Sequence, residues 1–289
     1  MILFALLWAL VGSGETVGDR LYVWAHAAGS YNGEAYLKSY KPSKIEPVDG
    51  VQYLGLKNAY FIRYKDVPAI PFDDYYAPFK KLDRVVWSLT GESGATSAEE
   101  RKAVFKLAEA NPNITGFIMD DFFRGMEVPK EGGVDTPLPA SLTPEQLADI
   151  RSSLKINGRA LPLSVVVYTT QINPRAKHHL KHVDDITLWT WRPAELDALE
   201  KNLEKLEQLA PGKGIYLGCY LFDFDRFVPM PVDRMKQQVE LGYRWLQQGR
   251  IKGMIFLGTP ILDLGFESVE WTRGWIAKVK NEPYAGARK

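Results

Sequence analysis

Carboxylates close several hydrophobic runs of this chain. The clearest is Gly116-Phe117-Ile118-Met119-Asp120-Asp121-Phe122-Phe123. Acids beside buried apolar side chains are costly unless they are paired or used. A second run ends Phe222-Asp223-Phe224-Asp225, and Glu92 stands in Thr90-Gly91-Glu92-Ser93. Two carboxyl groups facing one substrate can cleave an acetal: one protonates the leaving oxygen, and the other acts as nucleophile or base. The expected pair is Asp120 or Asp121 with Asp223, with Glu92 as a further candidate. Asp120 and Asp121 are neighbours, so a regular strand sends their side chains in different directions, one to a site and one to a loop. Parity favours Asp120 for the site, and a bulge at the strand end would admit Asp121.

Aromatic residues make up 12% of the chain, including 8 Trp and 14 Tyr. Trp24, Tyr168, Trp189, Trp191 and Tyr220 fall within or just after strand-like runs. Rings there suit a sugar, whose apolar faces stack on aromatic faces while its oxygens meet polar tips. His26 and Asp225 complete the polar set, and Arg63 is placed to hold a sugar carboxylate or to pair with one of the acids.

These residues need a scaffold that gathers them. After Gly18 the chain alternates short β-branched and aromatic runs with amphipathic stretches. The strand candidates are 21–26, 59–63, 85–90, 115–120, 163–169, 186–191, 215–222 and 254–258. The clearest helices are 98–110, 144–157, 194–209, 232–248 and 269–280. Thr143-Pro144-Glu145-Gln146 marks one helix start with a cap, a proline at the first position and a Gln at the third. Eight such units with no Gly-x-Gly-x-x-Gly after the first strand predict a single-domain α/β fold, the (β/α)8 barrel, over residues 15–289, rather than a doubly wound open sheet.

Strand alternation then sorts the side chains. With aliphatic residues facing the helices, His26, Thr90, Glu92, Asp120, Tyr168, Thr170, Trp189, Trp191 and Tyr220 converge at the carboxyl mouth, where barrel enzymes hold their sites. The Gly/Pro-rich segment 124–144 follows the fourth strand and reads as a loop over that mouth.

Eight βα units, acids at the ends of strands four and seven, and Trp at the end of strand six resemble the TIM-barrel glycoside hydrolases as a broad class. That resemblance implies hydrolysis of glycosidic bonds without a cofactor, on a carbohydrate substrate. The fourth strand carries neither the Asp-x-x-Asp-x-Asp-x-Glu of chitinase-like barrels nor a terminal Asn-Glu pair. Two alternatives stand beside hydrolysis. One is a carbohydrate-binding barrel without catalysis. The other is a divalent-metal enzyme using Asp120, Asp121, Asp223 or Asp225 with His26.

Composition excludes other classes. Lys plus Arg is 36 against 35 Asp plus Glu, a net charge of +1, which provides no basic field for nucleic acid. The single cysteine, Cys219, forms no intrachain disulfide and no multi-cysteine zinc site. Residues 1–11, MILFALLWALV, followed by Gly12-Ser13-Gly14, read as a signal peptide cleaved near Gly14 despite lacking a preceding positive charge. Secretion or a periplasmic location is the matching expectation. No later run approaches a membrane span.

Overall fold

The computed structural model describes residues 14–91, 96–125 and 133–286. Eight strands form the barrel: β1 (Leu21–Ala25), β2 (Asn58–Phe61), β3 (Arg84–Ser88), β4 (Ile114–Met119), β5 (Leu163–Tyr168), β6 (Asp185–Trp189), β7 (Gly214–Tyr220) and β8 (Gly253–Leu257). All neighbours are parallel, and β8 pairs with β1 from Leu21↔Met254 to Trp24↔Leu257, so the sheet closes without an edge. One helix follows each strand: α1 (Pro47–Tyr53), α2 (Asp73–Tyr76), α3 (Ala98–Ala110), α4 (Pro144–Ser152), α5 (Lys177–Leu180), α6 (Leu199–Leu209), α7 (Val232–Gln247) and α8 (Glu267–Val279). The expected barrel is therefore the observed one. No described helix is long and apolar enough to cross a membrane.

The inward and outward sets follow strand parity. Outward, Phe61 and Trp87 stack 4.4 Å apart, and Trp87 packs on Phe72, Tyr76 and Phe79 of the helical layer. Inward, Tyr22, Tyr60 and Tyr216 meet edge to face at 5.2–5.8 Å and fill the lower barrel. Above them Trp24 stacks on Tyr60 and stands edge-on to Trp189 at 5.1 Å. Gly218, an inward position of β7, leaves the space that the Trp189 ring occupies: a Cβ there would lie 2.0 Å from Cδ2 of that ring.

Helix starts follow local chemistry. The Thr143 hydroxyl accepts from the Gln146 amide at 3.2 Å while the Gln146 side chain accepts from the Thr143 amide at 2.9 Å, the reciprocal cap expected for α4. The same helix stops at Ser152, well short of 157. Asn157 and Gly158 have φ of +50° and +78° and turn a small ribbon pairing Lys155–Ile156 with Arg159–Ala160. An Asn-Gly dipeptide favours this turn over a helix. Strands also end one or two residues before their sequence patterns do, because the ladder stops while the chain remains extended.

Candidate functional site

The carboxyl ends of the strands surround a cavity of about 370 Å³. Trp24 of β1, Tyr168 at the end of β5, Trp189 at the end of β6 and Tyr220 at the end of β7 line it from the barrel itself. Val166 and Leu257 supply apolar floor, and His26, Asp120, Asp121 and Trp191 follow the strands directly. Loops add Tyr31, Tyr36 and Tyr64, and the ribbon after β7, pairing Phe222–Asp223 with Val228–Pro229, adds Phe224 and Phe227. The rings brace one another. Trp191 stacks on Phe224 at 5.9 Å and stands edge-on to Tyr220 at 5.7 Å and to Tyr168 at 6.1 Å.

Both acids that follow β4 reach this cavity, which corrects the expectation that one would leave for a loop. The cause is the backbone. Asp121 has φ of +42°, in the left-handed region, so the strand alternation that should have sent it away ends at Asp120. Asp is one of the few residues with a side chain that tolerates this conformation. The Asp121 amide donates to Asp120 Oδ1 at 2.9 Å, and the Tyr168 hydroxyl donates to Asp121 Oδ1 at 2.7 Å. Burial, with the neighbouring Tyr220, pushes the Tyr168 pKa well up, so the phenol stays protonated and is available as a donor. Asp120 is half-buried and Asp121 exposed.

His26 is buried, with Nδ1 3.2 Å from the Ile62 carbonyl. A carbonyl only accepts, so Nδ1 carries the proton and Nε2 is left as an acceptor. Burial lowers the His26 pKa to about 4, against an ordinary value of 6.5. The unfolded chain therefore binds a proton that the fold refuses between those two values, and the stability this confers at neutral pH is lost as pH falls from 6.5 toward 4. Denaturant titration at pH 7 and pH 4.5 should show the His26→Leu variant losing less stability on acidification than the parent, by about 2 kcal/mol. An equal loss in both would remove His26 as the source.

Three expected members do not line the cavity. Asp223 is 1% exposed, and its Oδ1 accepts from the amides of Asp225 and Arg226 at 3.0 and 3.1 Å. It caps the turn of the ribbon after β7, a local role that short acids commonly fill. The pairing of Asp120 or Asp121 with Asp223 across the mouth thus has no geometric support. Asp223→Asn keeps one acceptor for those amides, so both melting temperature and any turnover should stay near the parent's; a thousandfold loss of turnover in a folded variant would return Asp223 to the site. Asp225 is exposed and pairs with Arg192 at 3.5 Å. Arg63 is buried away from the cavity, donating to the Pro68 carbonyl at 3.1 Å and to Glu100 of α3 at 2.6 Å. Its partner is neither a sugar carboxylate nor a mouth acid. Thr90 and Thr170 also lie off the cavity lining. Glu92, residues 1–13 and the 126–132 part of the loop after β4 lie outside the described residues.

The loop aromatics were not anticipated. Tyr31, Tyr36, Tyr64 and Phe227 sit in segments with no periodic pattern, where type alone carries no position. Phe224 had a signal, since it alternates with two acids in Phe222-Asp223-Phe224-Asp225. Among the described residues no group of three or more His, Cys, Asp or Glu is placed to hold a metal ion.

No protein-family profile matches the chain, and no curated protein matches its sequence. Solved structures do match in shape. A candidate alpha-L-fucosidase from Bacteroides thetaiotaomicron aligns at a TM-score of 0.53 and 13% identity, over 96% of this chain and 99% of its own. Active domain 2 of a chitinase from Pyrococcus furiosus aligns at 0.52 and 15%, over 84% and 85% of the two chains. An endo-beta-mannanase/endo-beta-glucanase from Prevotella bryantii aligns at 0.51 and 10%, over 93% of this chain and 50% of its own. At these identities the likeness establishes the architecture: this chain has the (β/α)8 barrel of those carbohydrate-acting proteins.

Proposed function

We propose that this protein hydrolyses glycosidic bonds in the cavity at the carboxyl mouth of the barrel, with Asp120 and Asp121 as its acid groups. The observation that carries the reading is the company those acids keep: both line one cavity whose other walls are mainly aromatic. The barrels it resembles in shape, named for acting on glycans, support the same direction. In this reading half-buried Asp120 protonates the leaving oxygen. Asp121, which accepts a hydrogen bond from the Tyr168 hydroxyl, stabilises positive charge developing on the sugar ring; water then adds to the anomeric carbon, and its proton returns to Asp120. Trp191 and Phe224 stack the sugar, and Tyr220 meets its hydroxyls.

The test is turnover of a panel of polysaccharides and aryl glycosides by the parent, Asp120→Asn and Asp121→Asn. Full activity in both variants would end the assignment. A binding protein without catalysis would show glycan affinity, lost in Trp191→Ala, with no turnover of any substrate by the parent. Export is part of the proposal, resting on the apolar run 1–11 and the small residues after it. Finding the chain outside the cytoplasm with its amino terminus near residue 15 would support it, and a cytoplasmic chain retaining Met1 would oppose it.

A further inference from the structure

We propose that the cavity takes one unit of a longer glycan chain and that Phe227, at its rim, carries the next unit; this names a substrate class for the hydrolase reading above and rests on its placing a sugar in the cavity. The first observation is exposure. Phe227 lines the cavity and is 46% exposed, and among the described residues no other Phe, Trp or Tyr is exposed. Val228 beside it is 40% exposed. An open apolar ring adds little to the fold, so its place at the edge of a cavity is informative.

The second observation is the backbone. Phe227 has φ of +59°. The other non-glycine residues with positive φ among those described, Lys65, Asp66, Asp121 and Asn157, are all polar. A bulky side chain in this region is an outlier, and such strain gathers where ligands are held. The surroundings impose it. The ribbon pairing Phe222 with Pro229 and Asp223 with Val228 fixes both ends of the turn. Within it the buried Asp223 carboxylate accepts from the amides of Asp225 and Arg226, and the Tyr40 hydroxyl donates to the Phe227 carbonyl at 3.3 Å. Asp223, which left the cavity, thus shapes the turn that presents Phe227 to it.

The third observation is continuity. Rings lead outward from Tyr220 to Phe224 at 5.7 Å, from Phe224 to Tyr36 at 5.2 Å, and from Tyr36 to Phe227 at 6.2 Å. Tyr220 is buried, Phe224 and Tyr36 are half-buried, and Phe227 is exposed. The aromatic surface therefore runs from the cavity to solvent without a break. Ring faces repeated along a path fit a ligand whose apolar faces also repeat, which is a chain of sugars rather than one sugar.

The experiment titrates the full chain carrying Asp120→Asn, so that ligands stay uncleaved, and follows binding by calorimetry. The probes are ladders of one to five β-1,4-linked units of glucose, mannose or N-acetylglucosamine. In at least one ladder affinity should rise about five- to tenfold at the unit that reaches Phe227, the gain expected from covering a half-exposed Phe ring. Phe227→Gly in the same chain should remove that step, and Phe227→Trp should keep it. Glycine suits the backbone at this position, so the glycine variant should melt at or above the temperature of its parent. A step that survives Phe227→Gly, affinity independent of length, or binding of no ladder would overturn the inference, as would a glycine variant that fails to fold. Concentration-dependent dimerisation that Phe227→Gly abolishes would also overturn it, by making the ring a contact between copies. Cleavage of the same ladders by the chain with Asp120 intact separates the two proposals. A Phe227-dependent step without cleavage keeps this inference and removes the hydrolase, while cleavage without the step removes this inference alone.

Discussion

Replacing Asp121 by glycine should abolish turnover while leaving the fold about as stable as the parent. The residue stands at φ +42°, where a side chain is strained and glycine is not. Relief of that strain is worth a few tenths of a kcal/mol to about 1. Against it stands the loss of the Tyr168 hydroxyl's hydrogen bond to Oδ1, at 2.7 Å, worth about 1 kcal/mol. The two nearly cancel, so the melting temperature should move by only a few degrees. Catalysis has no such compensation: removing an acid–base or charge-stabilising carboxylate costs roughly 10²–10⁴-fold in rate. Asp121→Asn, which keeps the shape, should lose turnover to a similar degree. The paired measurements are kcat on whichever glycoside the panel identifies and thermal denaturation of the same preparations. A stable, fully active glycine variant would show that Asp121 serves no chemistry. An unfolded one would show that its carboxylate is needed for the loop after β4 rather than for the site.

Gly218→Ala is expected to be the most damaging single-methyl change in the barrel. A Cβ at this position would sit 2.0, 2.2 and 2.3 Å from three ring atoms of Trp189. That indole has little room to retreat. It is 1% exposed, edge-on to Trp24 at 5.1 Å, 5.0 Å from Tyr220, and tied through Nε1 to the Thr187 hydroxyl. Overpacking usually costs about 1–3 kcal/mol, and a rigid ring inside a closed sheet belongs at the upper end or above. A cost of about 3 kcal/mol should lower the melting temperature by roughly 6–12 °C, and glycan affinity should fall with it because Trp189 forms one wall of the cavity. The clash predicts its own rescue: Trp189→Leu in the Gly218→Ala background should recover much of the stability but not the binding. For contrast, Gly274 on the exposed side of α8 has nothing within 4 Å of an added Cβ, so Gly274→Ala should stabilise by about 0.5–1 kcal/mol. A Gly218→Ala protein that melts with the parent would mean the Trp189 ring is free to move.

Much of the barrel was legible because its signals are local and repeated. Each strand alternates between helix-facing aliphatic side chains and interior ones, and eight repeats leave few architectures to choose among. The same parity located Trp24, Asp120, Tyr168, Trp189 and Tyr220 on the inner face, where the ring contacts and the cavity lining place them. Local reading failed where a local alternative competed. Asn157-Gly158 ended α4 early, and the Asp223 carboxylate was taken by two amides of its own turn. Arg63 lies on the right strand end but found a partner 37 residues away on α3, a contact no spacing foretells.

Residue order by itself thus determined the strand count, the inward set and the end of the barrel where polar groups gather, because period-two patterning is imposed residue by residue by the pleat. Tertiary structure alone decided the membership of the site. A single left-handed residue turned Asp121 toward the cavity, a turn drew Asp223 away from it, and loops from β1 and β2 brought Tyr31, Tyr36 and Tyr64 over the mouth. Those outcomes depend on competition between nearby and distant hydrogen-bond and packing partners, which is settled only when the whole chain has closed on itself.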